Sequence, residues 1–135
     1  MRGDSQEFAL ILSGSDDGGE TWRVISTVAH DGYYRYCEGA LVHLQDGGIA
    51  CIMRENHSAG FTCRVAFSED GGTTWSETSC LPFALHRPYG KQLPCSRVLV
   101  TGRHVNGPLG TFAWCGDLRK AAGQYMVAGQ QTNHH

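Results

Sequence analysis

A glutamate and an arginine of this chain are spaced so that a β-hairpin would bring them together. Glu38 stands just before a predicted strand, and Arg54 stands at the end of the next one. Because antiparallel strands run back along each other, the two residues are expected side by side at one end of the sheet. A carboxylate beside a guanidinium is an ordinary ion pair on many surfaces. In such a pair the carboxylate can also accept a proton, and the guanidinium can bind an anion.

Charged, aromatic and imidazole side chains are expected to collect around this pair. Four connecting segments, residues 28–39, 54–60, 81–91 and 103–110, are predicted at the same end of the fold. Functional sites have this composition, since binding and catalytic residues concentrate on loops held by a rigid scaffold. The other residues of this predicted rim are Tyr33, Tyr34, Arg35, Tyr36, Glu55, His57, His86, Arg87, Arg103 and His104.

The pattern Ser-x-Asp-x-Gly-x-Thr-Trp occurs twice, beginning at residues 15 and 68. Asp and Ser side chains bond backbone N–H groups a few positions on, Gly supplies positive φ, and Trp folds back over the turn. Each copy is therefore predicted to be a self-supporting hairpin turn with a structural role. The residues of the two octapeptides that define the pattern are Ser15, Asp17, Gly19, Trp22, Ser68, Asp70, Gly72 and Trp75.

The segments around these turns predict a four-stranded antiparallel unit of about 50 residues. Its strands are residues 40–44, 49–54, 61–67 and 75–81. Residues 8–13 and 22–28 form the last two strands of a preceding unit, and a weaker echo of residues 44–54 at 93–103 begins a third. Four-stranded units repeated at this period are typical of β-propeller blades.

The predicted fold is therefore all-β, a single partial domain with about two and a half propeller blades in 135 residues. Residues 1–30 end one blade, residues 31–85 form a complete blade, and residues 86–135 form an incomplete or degenerate one, in which residues 117–124 lack the Gly and Trp of the octapeptide. Propellers close with typically about four to eight blades. The chain is thus either a fragment of a longer propeller, which we favour, or it associates with other copies through its open blade edges.

The composition argues against several partners. The formal net charge of -2 gives no reason to expect nucleic acid, and no apolar run approaches the roughly 20 residues that cross a bilayer. The six cysteines lack CxxC spacing, so we expect neither a metal nor another cofactor. Residues 1–14 lack the order of a signal peptide, which leaves the localisation unknown.

The octapeptide resembles the Asp-box, or BNR repeat, of the sialidase (neuraminidase) superfamily. The similarity spans roughly residues 7–103 and includes the order Glu38, Leu-Gln-Asp-Gly from residue 44, an apolar strand, Arg54 and the following octapeptide. This resemblance implies a six-bladed propeller and a retaining exo-glycoside hydrolase. Its substrate would be a glycan ending in sialic acid or another acidic sugar.

In sialidases three arginines bind the sugar carboxylate, a Glu takes the proton of a Tyr nucleophile, and an Asp serves as acid and base. By this resemblance Glu38 is the catalytic partner of the Tyr, and Arg54 is the second arginine. Arg103, one repeat after Arg54, is a candidate third arginine, and Arg87 competes with it. The first arginine, the Asp and the Tyr have no match here, so we expect little or no activity from this chain alone. The alternative is a non-catalytic BNR-repeat propeller module that binds carbohydrate or protein.

Overall fold

The computed structural model describes residues 8–57, 61–104 and 108–124, which form an all-β fold of three small antiparallel sheets and one short helix. The first sheet pairs β1 (Leu10–Gly14) with β2 (Arg23–Ala29). The second has the order β3 (Tyr36–His43), β4 (Ile49–Glu55), β5 (Arg64–Ser68) and β6 (Ser79–Cys80). The third has the order β7 (Leu85–Gln92), β8 (Val98–His104) and β9 (Thr111–Gly116), and is followed by α1 (Leu118–Ala121).

Both octapeptides form hairpin turns, between β1 and β2 and between β5 and β6. In the second copy, the Asp70 carboxylate accepts hydrogen bonds from the Thr74 N–H at 2.9 Å and the Ser68 hydroxyl at 2.8 Å. The Ser68 hydroxyl accepts from the Gly72 N–H at 2.8 Å, and the Trp75 indole donates to the Gly72 carbonyl at 3.1 Å. Gly72 has a φ of 97°, which favours glycine. The first copy makes the same four bonds, so the defining side chains of both octapeptides hold turns together.

The three sheets pack face to face in chain order, and β4 is buried on both of its faces. Met53 faces the first sheet, where Leu12 packs against the same cluster, whereas Ile52 faces the third sheet; Met53 and Ile52 are both 0% exposed. The third sheet approaches closely, since a Cβ atom on Gly90 would stand 2.5 Å from Val42. Burial on both faces explains why β4 is a continuous apolar run rather than an alternating one.

Several strand predictions are corrected by the structure. Residues 81–91 were expected as a connection, which is wrong, because β7 occupies Leu85–Gln92. Strand β3 begins at Tyr36, so Glu38 lies within the strand rather than before it. The predicted strand 75–81 is reduced to Ser79–Cys80, since the Ser76 hydroxyl, rather than a backbone carbonyl, accepts the Phe67 N–H at 3.0 Å.

A short helix stands where a third octapeptide is missing. The Asp117 side chain caps α1 by accepting from the N–H groups of Arg119 at 3.1 Å and Lys120 at 3.2 Å. Arg119 then reaches back to the second sheet, where it bonds Asp46 at 2.8 Å and Glu69 at 2.8 Å. The helix thus fastens the end of the third sheet to the turns of the second. It is far too short to cross a membrane, and no other helix occurs in the described ranges.

Candidate functional site

A β-bulge in β3 sets the position of Glu38. The pairing with β4 passes from Cys37 opposite Arg54 to Ala40 opposite Ile52, which leaves two residues of β3 facing one of β4. Glu38, the first of these two, has a φ of 48°. This left-handed conformation costs an L residue about 1–2 kcal/mol. Strain of this kind concentrates at functional sites, where the surrounding structure maintains it.

Strand β7 repeats the bulge 49 residues later. Its pairing with β8 skips just after His86, which lies opposite Arg103, and Arg87 is the first residue of the bulge, with a φ of 51°. Among the residues that the structure describes, Glu38 and Arg87 are the non-glycine residues with positive φ. The second and third sheets therefore have the same strained bulge at the same end, with Glu38 in one and Arg87 in the other.

Glu38 joins the second sheet to the third. Its Oε1 atom accepts a hydrogen bond from Arg54 at 3.1 Å, within its own sheet. Its Oε2 atom accepts from the backbone N–H of Arg87, in the neighbouring sheet, at 2.8 Å. The Arg87 side chain points into solvent at 88% exposure, with its Nε atom 3.8 Å from Glu38. One carboxylate therefore gathers two of the predicted substrate-binding arginines.

Arg54 is half-buried and retains unused hydrogen-bonding capacity. One of its terminal nitrogens donates to Glu38, and the other donates to the side-chain oxygen of Asn56 at 3.0 Å. Its Nε atom is buried without a hydrogen-bond partner among the residues that the structure describes. A buried donor without a partner costs about 1–3 kcal/mol.

Arg103, the candidate third arginine, is held by a histidine. Its guanidinium lies 2.7 Å from the Nδ1 atom of His86, its partner across the β7–β8 ladder. Since arginine only donates hydrogen bonds, Nδ1 is the acceptor and the imidazole in this pair is neutral. The positive charges of Arg54 and Arg103 both disfavour the protonated form of His86 and lower its pKa.

The charges of the site are set by these contacts. Burial raises the pKa of Glu38, but the Arg87 N–H and the Arg54 guanidinium outweigh it and hold the pKa below its ordinary range. Glu38 is thus anionic at neutral pH. Burial, Arg54 and Arg103 lower the pKa of His86, against the opposing effect of Glu38. Arg54 and Arg87 flank the Glu38 carboxylate and Arg103 lies beside His86, so arginines outnumber the carboxylates of Glu38 and Glu55 at this end, which suits an anionic ligand.

The other predicted site residues lie elsewhere. The octapeptides occupy the opposite end of the sheets, since Ser68 pairs with Ile49 at the start of β4 and Arg54 lies near its end. Tyr36, two residues before Glu38, directs its hydroxyl to Asp31 and Thr78. Burial and the Asp31 carboxylate raise the pKa of Tyr36 to about 12. Tyr36 is therefore not arranged as a nucleophile activated by Glu38.

Two polar features at this end had no specific role in the sequence analysis. The buried Glu55 carboxylate accepts from the N–H groups of Arg35 at 2.7 Å and His57 at 2.6 Å, and so ties two loops together. A polar cavity of about 480 Å³ lies between the first two sheets and contains the buried Arg64, which donates to the Thr78 carbonyl at 3.0 Å. In sequence, Glu55 was one more charge beside Arg54, and Arg64 was part of the sialidase-like order, between Arg54 and the octapeptide, without an assigned role. The described residues contain no group of three or more His, Cys, Asp or Glu side chains placed to hold a metal ion.

The chain is similar to a solved structure from Dyadobacter fermentans DSM 18053, a protein of unknown function. The two superpose with a TM-score of 0.72 and 28% sequence identity over 81% of this chain. The matched region is 30% of that protein, so this chain spans under a third of its length. No family model and no curated protein matches the sequence. The similarity therefore supports the arrangement of the sheets and says nothing about activity.

Proposed function

We propose that the three sheets are successive blades of a sialidase-like propeller and that the end carrying Glu38 and Arg54 binds the carboxylate of an acidic glycan. The blade interpretation is supported by the β3–β6 meander, by octapeptide turns in two successive sheets and by face-to-face packing in chain order. We define the anion-binding rim as Glu38, Arg54, His86, Arg87 and Arg103.

One observation carries the functional proposal: a strained bulge holds the Glu38 carboxylate against Arg54, and the next sheet repeats the bulge beside Arg103. Carboxylates are bound well by guanidinium groups, which offer parallel donors. The exposed side chain of Arg87 supplies such donors.

In the hydrolase form of this proposal, Glu38 acts as a base. Its depressed pKa keeps it ionised and able to accept the phenolic proton of a tyrosine as that oxygen attacks the anomeric carbon. The sugar–oxygen bond breaks as an acid protonates the leaving oxygen, and water later releases the sugar with retained configuration. This chain would contribute Glu38 and the arginines to such a site.

A second candidate function is a non-catalytic propeller module that binds acidic carbohydrate. It is favoured by the complete engagement of Glu38, whose two oxygens are bonded to Arg54 and to the Arg87 N–H. A carboxylate held in this way organises arginines without needing to exchange a proton. Both functions require the same anion-binding rim, and they differ in turnover.

Binding is tested by titrating the full chain with 3′-sialyllactose and following amide and guanidinium NMR signals, with lactose as the neutral control. We expect shifts at the anion-binding rim with the sialylated sugar and none with lactose. Arg54→Gln should weaken binding about tenfold or more, the usual cost of losing a charge-assisted bond. Arg23→Gln makes the same charge change at an exposed pair with Asp16 and should leave binding unchanged.

Equal shifts with lactose, or no effect of Arg54→Gln, would refute the carboxylate site. Release of a fluorophore from a sialoside separates the two functions. Turnover that disappears in Glu38→Gln supports the hydrolase. Binding without turnover, in this chain and in any longer protein that contains it, supports the binding module.

A further inference from the structure

His86 occupies a central position on the anion-binding rim. It lies beside the bulge of β7, across the ladder from Arg103, whose guanidinium is 2.7 Å from its Nδ1 atom. Because the guanidinium cannot accept a proton, this bond exists only while Nδ1 carries a lone pair. Protonation of the imidazole therefore breaks the bond and places a second positive charge beside Arg103.

The charged groups around His86 come from every neighbouring strand of the two sheets. Arg103 projects from β8, Arg54 from β4 and Glu38 from β3, and Arg87 follows His86 in β7. Two of these arginines disfavour the imidazolium, and the ionised Glu38 carboxylate is already bonded to Arg54 and to the Arg87 N–H. The imidazole is thus held neutral by its surroundings, since Glu38 offsets only part of the effect of burial and the arginines.

We propose that His86 is a pH-dependent switch that holds Arg103 while neutral and releases it to an anionic ligand when protonated. The proposal rests on the carboxylate-binding function proposed above and adds a regulation to that site. A ligand carboxylate adds a second anion beside the imidazolium, so ligand binding and protonation of His86 favour each other. Ligand binding therefore raises the pKa of His86, and affinity rises as pH falls through that pKa.

The first measurement needs no ligand. NMR titration of the imidazole signals should give a pKa for His86 below the ordinary value of 6.5, because burial, Arg54 and Arg103 lower it. In Arg103→Gln the pKa should rise, since the variant removes both a nearby positive charge and a donor to the neutral ring. A pKa of His86 that is unchanged in Arg103→Gln would overturn the proposed coupling, whatever the protein binds.

The second measurement compares binding of 3′-sialyllactose at about pH 7.5 and about pH 5, which lie on either side of the ordinary histidine pKa. Glu38, with its lowered pKa, stays ionised over this range. One additional charge about 4 Å from the ligand carboxylate strengthens binding about fivefold even at the dielectric constant of water. His86→Gln should abolish this gain, whereas His43→Gln, at the other end of β3, should retain it.

The outcomes separate the two proposals. Binding that is equally strong at both pH values overturns the switch and leaves the carboxylate site standing. A pH dependence that persists in His86→Gln also overturns the switch, since another group must then titrate. Absence of binding at both pH values overturns the carboxylate site and, with it, the switch. A lower affinity at pH 5 contradicts the predicted sign.

Discussion

The strain at Glu38 predicts an unusual order of stability for two substitutions. Glu38→Ala removes the bonds to Arg54 and to the Arg87 N–H, and a charge-assisted bond contributes about 1.5–3 kcal/mol. Alanine keeps the left-handed backbone, with a φ near the 48° of Glu38, and so keeps its cost. Glu38→Gly loses the same bonds, but glycine adopts this φ freely, which recovers about 1–2 kcal/mol.

Glycine also gains freedom in the unfolded chain, which offsets about 0.4–1 kcal/mol of that recovery. Glu38→Gly should therefore be more stable than Glu38→Ala by about 0.5–1 kcal/mol, and both should be less stable than the parent. Urea unfolding followed by tryptophan fluorescence measures this order. The matched control is Ala40→Gly in the same strand, where φ is not positive and glycine should instead destabilise.

If Glu38→Ala proves at least as stable as Glu38→Gly, the bulge does not store strain at this residue. The functional proposal would then lose one of its supports, because the cost of the conformation is the reason to look for a role that maintains it. If the order is as expected, both variants should also lose binding of 3′-sialyllactose.

Three further results are expected. Hydrogen bonds from the neighbouring turn residues lower the pKa of the Asp70 carboxylate to about 2. The contribution of Asp70 to stability is therefore complete above its ordinary pKa of 3.8 and is lost as pH falls through about 2. Asp70→Asn should flatten this part of an acid-unfolding curve. Trp75→Ala should cost about 2 kcal/mol in urea unfolding, because its indole packs against the first sheet, whereas Trp22→Ala, at 66% exposure, should cost about 0.5 kcal/mol or less. Iodoacetamide should modify the exposed Cys95 in the folded protein and spare Cys63, since burial raises the pKa of the Cys63 thiol to about 12. Mass spectrometry of peptides measures the labelling, and early modification of Cys63 would contradict this prediction.

The hairpins of this fold could be predicted because their causes are local. Asp70 and Ser68 act on N–H groups within four residues, so composition and spacing alone indicate the turn. Strand β4 was equally accessible, since an uninterrupted apolar run implies burial on both faces. The position of Arg54 near its end followed directly.

The bulges could not be predicted, because their causes are not local. Neither Cys37-Glu38-Gly39 nor His86-Arg87-Pro88 carries a signal for an extra residue in the ladder. Proline disfavours the interior of a strand, and in β7 Pro88 is accommodated because it lies in the bulge. The hydrogen bond from the Arg87 N–H to Glu38 forms only where the second and third sheets pack together. The residue pattern within one sheet does not specify how that sheet packs on another.

The repeated bulge supports the proposal that the anion-binding rim serves function rather than folding. If the bulge served only to bend a strand, glycine at its first position would do so without strain, as Gly72 does in the octapeptide turn. Glu38 and Arg87 instead stand at both first positions, and each costs about 1–2 kcal/mol. The hydrogen bond from the Arg87 N–H to the Glu38 carboxylate, and the ion pair between the two side chains, offset part of this cost. Both contacts form only when the two residues already have the strained backbone conformation. Two glycines would hold the same backbone and leave Arg54 without its carboxylate, so what the strained residues add over glycine is the arrangement of charge at this end of the sheets.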